Sequence, residues 1–188
     1  MQAGEKIKYR LAESIKGLME TTPLDKITVK EIVSQAHTTR QTFYRNFKDK
    51  YDLVNWYFDK LAQKSFKQMG VSYTLREGLI KKFNFIKAER GFFSEAFRSD
   101  DYNSLFAYDY ECILEFYTEI IKKKTGGPLE EEIAFLLRMY CRGSIYMTVE
   151  WATGGMKLAP EEIAGLLVEA LPPRLGELLS DLRPQAEA

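Results

Sequence analysis

The chain has 188 residues, 45% hydrophobic and 29% charged, with 27 Lys and Arg balanced by 27 Asp and Glu. That length gives interior enough for a real hydrophobic core, and that composition argues against wholesale disorder. The absence of an apolar run of about 18 residues excludes a transmembrane helix, the start MQAGEKIKYR has no apolar stretch of a secretory signal, and Cys112 and Cys141, with no C-x-x-C spacing, exclude a disulfide scaffold or zinc finger.

Helical periodicity runs through almost the whole chain, and an all-α fold of about nine or ten helices is expected. Ile7, Leu11, Ala12, Ile15, Leu18 and Met19 form one apolar stripe, ended at Thr21-Thr22-Pro23. Thr28 and Glu31 have the spacing of a capping box, in which each side chain satisfies an orphan amide of the first turn. Val29, Ile32, Val33 and Ala36 then mark a two-turn helix, interrupted at His37-Thr38. Thr39 is placed to cap a third short helix running to about Phe47. A longer helix is expected from about Lys50 to Met69, with Leu53, Trp56, Tyr57, Leu61 and Phe66 on its apolar side and Gly70 as its stop.

Two short helices joined by a tight turn are the helix-turn-helix arrangement. In the third helix, Phe43 and Phe47 point one way at about 100° per residue, while Gln41, Tyr44, Arg45 and Lys48 fall on the other side. An inward aromatic face and an outward cationic, hydrogen-bonding face are what a helix needs to lie in a DNA major groove. The charge distribution agrees: residues 1–70 carry 13 Lys and Arg against 8 Asp and Glu, and residues 71–188 carry 14 against 19. That division suggests a polyanion-binding module joined to a different unit.

The stretch from Ile27 to Leu53, ITVKEIVSQAHTTRQTFYRNFKDKYDL, resembles the amino-terminal domain of TetR/AcrR transcriptional regulators. His37 stands where that family usually has Gly, Thr38 where it has Val, and Gln41 where Gly is common. The resemblance implies a DNA-binding domain over residues 1–50 and a helical regulatory and dimerisation domain over residues 51–188. It places Thr28 and Thr39 at phosphate-facing helix starts, with Thr38 beside them in the turn. Tyr44, Lys48 and Lys50 become backbone contacts, and Arg40, Gln41, Thr42 and Arg45 candidates for reading base edges. Residue 37 is expected in a turn that favours positive φ, which histidine tolerates less well than glycine. A catalytic or metal role for this one histidine lacks convergent partners, so no enzyme, cofactor or metal is expected.

The second part is helical, apolar and aromatic. Expected helices carry Leu75 to Ile86, ending near Gly91; Phe92 to Phe97; Ser104 to Lys123; Leu129 to Thr153; Pro160 to Leu171; and Leu175 to Leu182. Arg98 to Asp101 reads as a polar loop, and Thr125-Gly126-Gly127-Pro128 as a break. Its rings have two uses, a plain core or a small-molecule pocket. Tyr108, Tyr110, Tyr117, Tyr140 and Tyr146 are the better pocket candidates, because a buried hydroxyl needs a partner, with Phe106 and Trp151 behind them. Cys112 and Cys141 read as small buried hydrophobes.

Arg142, Gly143 and Ser144 on the long helix, with Leu166, Leu167, Ala170 and Leu171 on the next, offer a surface for a second copy. In the resembled family the corresponding helices form a four-helix dimer interface. The stretch Gly143 to Pro172 is similar to a carboxy-terminal subtype that includes regulators of dihydroxyacetone kinase genes. The expectation is therefore a cytoplasmic, ligand-responsive homodimeric repressor on a pseudo-palindromic double-stranded operator, with a small-molecule effector or a partner protein and no membrane association. A coactivator that binds DNA and docks a protein such as a kinase subunit remains open beside it.

Overall fold

The computed structural model describes residues 3–65, 74–101 and 103–179. Its described residues form ten α-helices and one 3-10 turn, and the all-α expectation holds. The first three helices are α1 (Ala3–Met19), α2 (Val29–Gln35) and α3 (Arg40–Tyr44), with the 3-10 turn Leu24–Lys26 between α1 and α2. Then follow α4 (Lys50–Ser65), α5 (Leu75–Ala88), α6 (Arg90–Ala96) and α7 (Leu105–Thr125). The chain closes its described part with α8 (Glu131–Thr153), α9 (Pro160–Glu169) and α10 (Pro173–Leu179). The expected residues 66–69 and Gly70 of the fourth helix, the side chain of Leu61, and residues 180–182 of the last lie outside what is described.

The stripe on α1 buries Leu11, Ala12, Ile15 and Met19 against α2 and α4. Ser14 sits within that seam, and its Oγ donates to the carbonyl of Ile32 at 2.8 Å, so α2 is fixed along α1 by a buried polar contact as well as by packing. On α4 the interior positions are Leu53, Val54, Tyr57 and Phe58, while Trp56 is only half-buried. The inward face is thus wider than the sequence stripe, because α4 packs against α1 on one side and α5 and α7 on the other.

The remaining helices build one body around two long seams, α5 on α9 and α7 on α8. Along α7, every fourth residue from Leu105 through Asp109, Ile113 and Tyr117 to Ile121 is buried. Tyr108, Cys112, Phe116 and Ile120 are half-buried at its flank. α5 and α6 are separated only by Glu89 (φ −104°, ψ 35°), which turns the chain two residues before the expected break at Gly91. α7 stops at Gly126, whose φ of 72° is the left-handed conformation a residue lacking Cβ adopts without strain.

Candidate nucleic-acid interface

The helix-turn-helix is built by local bonds that the sequence encodes. Thr28 and Glu31 form the capping box: the Thr28 amide and hydroxyl both donate to Glu31 Oε2, at 2.8 and 2.7 Å, and the Glu31 amide donates back to Thr28 Oγ1 at 3.3 Å. Those two donors hold the Glu31 carboxyl below its ordinary value. The turn closes with the Thr38 amide donating to the carbonyl of Val33 at 2.9 Å. His37 stands there with φ 48°, the positive-φ position expected of it. Thr39 caps α3 by accepting from the Thr42 amide at 3.1 Å.

α3 is shorter than the expected helix to Phe47. Regular helix ends at Tyr44, with Arg45 as its cap, and the amides of Asn46 and Phe47 then both donate to the carbonyl of Phe43, the first closing a tighter three-residue turn and the second a last helical one. Asn46 adds a bond from Nδ2 to the carbonyl of Thr42, at 2.8 Å. The faces survive the shortening. Phe43 is fully buried and Phe47 nearly so, their ring centroids 5.9 Å apart. Phe47 meets Trp56 of α4 edge-on at 5.7 Å, and Trp56 meets Tyr9 of α1 at 5.1 Å. The Lys8 ammonium lies 5.3 Å from the Phe47 ring and 5.7 Å from that of Trp56. An aromatic anchor therefore fixes α3 to both α1 and α4. Lys8 and Tyr9 went unnoticed in the sequence because cationic and phenolic residues on a helix ordinarily read as its solvated face.

Outward, Arg40, Gln41, Tyr44 and Arg45 are exposed, Tyr44 by 59%, and Thr42 is half-buried at their flank. Thr28, Thr39 and Lys48 are exposed too, and Thr38 is half-buried. The amide, guanidinium and phenol groups thus share one accessible face beside two helix N-termini. Lys50 is different: its ammonium donates to the carbonyls of Asp25 and Ile27, at 2.8 and 2.9 Å, and lies 5.1 Å from the ring of Tyr51. It braces the turn between α1 and α2, and burial there lowers its pKa.

The candidate pocket residues lie on α7 and α8 of the helical body. Tyr140 is buried and its hydroxyl donates to the carbonyl of Leu167 at 2.8 Å; the Trp151 indole donates to that of Leu158 at 3.0 Å. Tyr110 lies buried under the Arg142 guanidinium, 4.0 Å from its ring. Tyr117 is buried beside Tyr140, and burial pushes its hydroxyl well above the ordinary phenol value. Phe106 and Tyr108 are half-buried. Tyr146 is 62% exposed on the outer face of α8. Burial raises the Cys112 thiol to about 11 and that of Cys141 to about 12, as expected of packed rather than reactive thiols.

The proposed second-copy residues differ in burial. Ser144 and Leu167 are buried within their own chain, the Ser144 hydroxyl donating to the carbonyl of Cys141. Arg142, Gly143, Leu166 and Ala170 are exposed, and Leu171 is half-buried. The outer face of α8 carries Phe135, Met139, Tyr146 and Met147, and Leu158 and Leu166 are exposed as well. The spacing of Phe135, Met139 and Tyr146, four and then seven residues, was a readable signal for that face.

Among the described residues, Lys82 of α5 and Asp109 of α7 form a buried ion pair at 2.9 Å; the second carboxylate oxygen, Oδ1, has no hydrogen-bond partner. No His, Cys, Asp and Glu cluster among the described residues is arranged to hold a metal ion, and no described helix is long and apolar enough to cross a membrane.

The comparisons with known proteins agree with this geometry. A structure titled "Dihydroxyacetone kinase operon activator DhaS" is similar at a TM-score of 0.64 and 18% identity, over 93% of this chain and 98% of that one. A TetR transcriptional regulator from Streptococcus agalactiae 2603V is similar at 0.67 and 19%, over 89% and 94%. At such identities the likeness speaks for the fold. No curated protein matches in sequence. Family models do match: that of bacterial regulatory proteins of the tetR family over residues 13–56, and a transcriptional regulator C-terminal region of the same family over residues 73–172. The chain belongs to the TetR family of transcriptional regulators, with an N-terminal helix-turn-helix DNA-binding domain.

Proposed function

We propose that this regulator binds a pseudo-palindromic operator as a homodimer, with residues 1–50 as the DNA-binding unit and residues 51–188 as the regulatory and dimerisation unit. The observation that carries the reading is α3, which buries Phe43 and leaves Gln41, Tyr44 and Arg45 open to solvent. Gln41 and Arg45 read base edges: the Gln41 amide offers one donor and one acceptor to adenine, and the Arg45 guanidinium two donors to guanine. Arg40 and Thr42 flank them. Tyr44, Lys48, Thr28, Thr38 and Thr39 hold sugar-phosphate, the last three near helix starts whose free amides favour an anion. Lys50 assists by fixing the turn between α1 and α2.

Phe135, Met139, Tyr146 and Met147 of α8, with Leu158 of the following loop and Leu166 of α9, support the dimer, since exposed apolar side chains are what a second copy covers. An effector acts by favouring a state whose two recognition helices no longer match the groove spacing, which makes the protein a ligand-responsive repressor. The half-buried Phe106 and Tyr108 are the remaining pocket candidates with accessible surface. A second reading, activation with a partner protein, is favoured by the similar structure titled an operon activator.

Selection from a random-sequence duplex pool tests the proposal, with light scattering on the free protein. The expected result is an inverted repeat whose half-sites lie about 10 bp apart, and a mass twice that of the chain. A pool that fails to converge, or a monomer on unrepeated DNA, would refute it.

A further inference from the structure

Asp25 lies in the 3-10 turn between α1 and α2, two residues before the chain reaches Ile27 and the Thr28 cap of α2. Three groups hold it. From α4, the Tyr51 hydroxyl donates to Asp25 Oδ1 at 3.0 Å and the Lys50 ammonium to its carbonyl at 2.8 Å. From the loop between α6 and α7, the Ser99 hydroxyl donates to the same Oδ1 at 2.6 Å. Ser99 is 5% exposed, so its hydroxyl has little water to turn to.

The loop carries this contact in two directions. The Asp101 amide donates to Ser99 Oγ, the Asn103 amide donates to Asp101 Oδ1, and the Asn103 carbonyl accepts from Asn55 Nδ2 of α4 at 3.0 Å. α7 begins two residues later, and one turn into it Asp109 is paired to Lys82 of α5 inside the helical body. A shift of α7 against α5 must therefore be taken up by the loop that grips the helix-turn-helix at Asp25. The neighbouring part of the junction is apolar, with Tyr57 on Phe92 and Phe58 on Phe93. Such contacts slide, whereas a hydrogen bond is either made or lost.

We propose that Asp25 and Ser99 are positioning residues for DNA recognition: the Ser99–Asp25 bond latches the turn ahead of α2 to the helical body, and so sets the spacing of the two recognition helices. The inference rests on the reading of α3 as the DNA-reading helix of a dimer.

The test compares wild type, Ser99→Ala, Ser99→Thr and Asp25→Ala on the duplex that the wild type selects, and on the same duplex with one base pair added between the half-sites. Affinities are measured by fluorescence anisotropy, and folding by thermal unfolding. Wild type and Ser99→Thr, which keeps the hydroxyl, discriminate strongly between the two spacings. Ser99→Ala and Asp25→Ala narrow that ratio by about threefold or more, with native-like unfolding for Ser99→Ala. A merely structural contact would weaken both duplexes alike. Should Asp25→Ala fail to fold, Ser99→Ala decides, because Tyr51 and Lys50 still hold the turn. An unchanged ratio in folded Ser99→Ala overturns the latch while leaving DNA binding intact; a wild type that selects no duplex overturns both.

Discussion

Replacing Lys82 by Met would strand the Asp109 carboxylate in the helical body. Asp109 is fully buried, Oδ2 is held by the Lys82 ammonium at 2.9 Å, and Oδ1 has no hydrogen-bond partner. Removing one half of a buried pair typically costs about 3–5 kcal/mol, since the remaining charge is left without water and without its counter-ion. At roughly 2–4 °C per kcal/mol for a chain of this size, the thermal midpoint falls by about 6–20 °C. The double variant Lys82→Met with Asp109→Leu removes both charges and fills the space with apolar atoms, so it recovers most of that loss or exceeds wild type. Urea unfolding followed by circular dichroism, with calorimetry for the midpoints, measures all three proteins. A Lys82→Met loss below about 1 kcal/mol, or a double variant weaker than the single one, would refute the claim that desolvation governs this pair.

Glu31 gives a pH dependence of known sign. Bonds from the Thr28 hydroxyl and amide hold its folded pKa below the unfolded value, so the stability it contributes is present above the ordinary glutamate range and lost as pH falls through the folded value. Glu31→Gln should flatten that acid limb in a pH series of unfolding curves. His37→Gly should raise stability by up to about 1 kcal/mol, because glycine adopts φ 48° without the Cβ conflict; unfolding in urea checks it. Tyr146→Glu, at a site 62% exposed in the single chain, should shift the protein from dimer to monomer by light scattering while leaving its helical signal unchanged.

Much of the DNA-binding end was legible because its determinants are local. The Thr28–Glu31 box, the Thr39 cap, the strained turn at His37 and the opposed faces of Phe43 and Arg45 all follow from residues within a few positions of one another. The end of α3 was less legible: Asn46 bonds back to the carbonyl of Thr42 and tightens the chain, where periodicity alone extends the helix. The helical body hid its most informative feature. Lys82 and Asp109 occupy interior positions on their helices, but a charged residue breaks an apolar stripe unless its partner on another helix is known. The burial of Ser144 and Leu167 was hidden for a related reason, since small or apolar residues on a helix fit its own core as well as a partner. The Ser99–Asp25 contact spans 74 residues and leaves no trace in any local pattern.

The most direct measurement is a salt series of anisotropy titrations for wild type and Arg45→Ala, each on the selected duplex and on a scrambled one. With α3 in the major groove, wild-type affinity falls steeply with salt, and Arg45→Ala loses about 1–3 kcal/mol on the selected duplex but little on the scrambled one. Equal losses on both duplexes, or no loss on either, would contradict the assignment of Arg45 to the bases and of α3 to the groove.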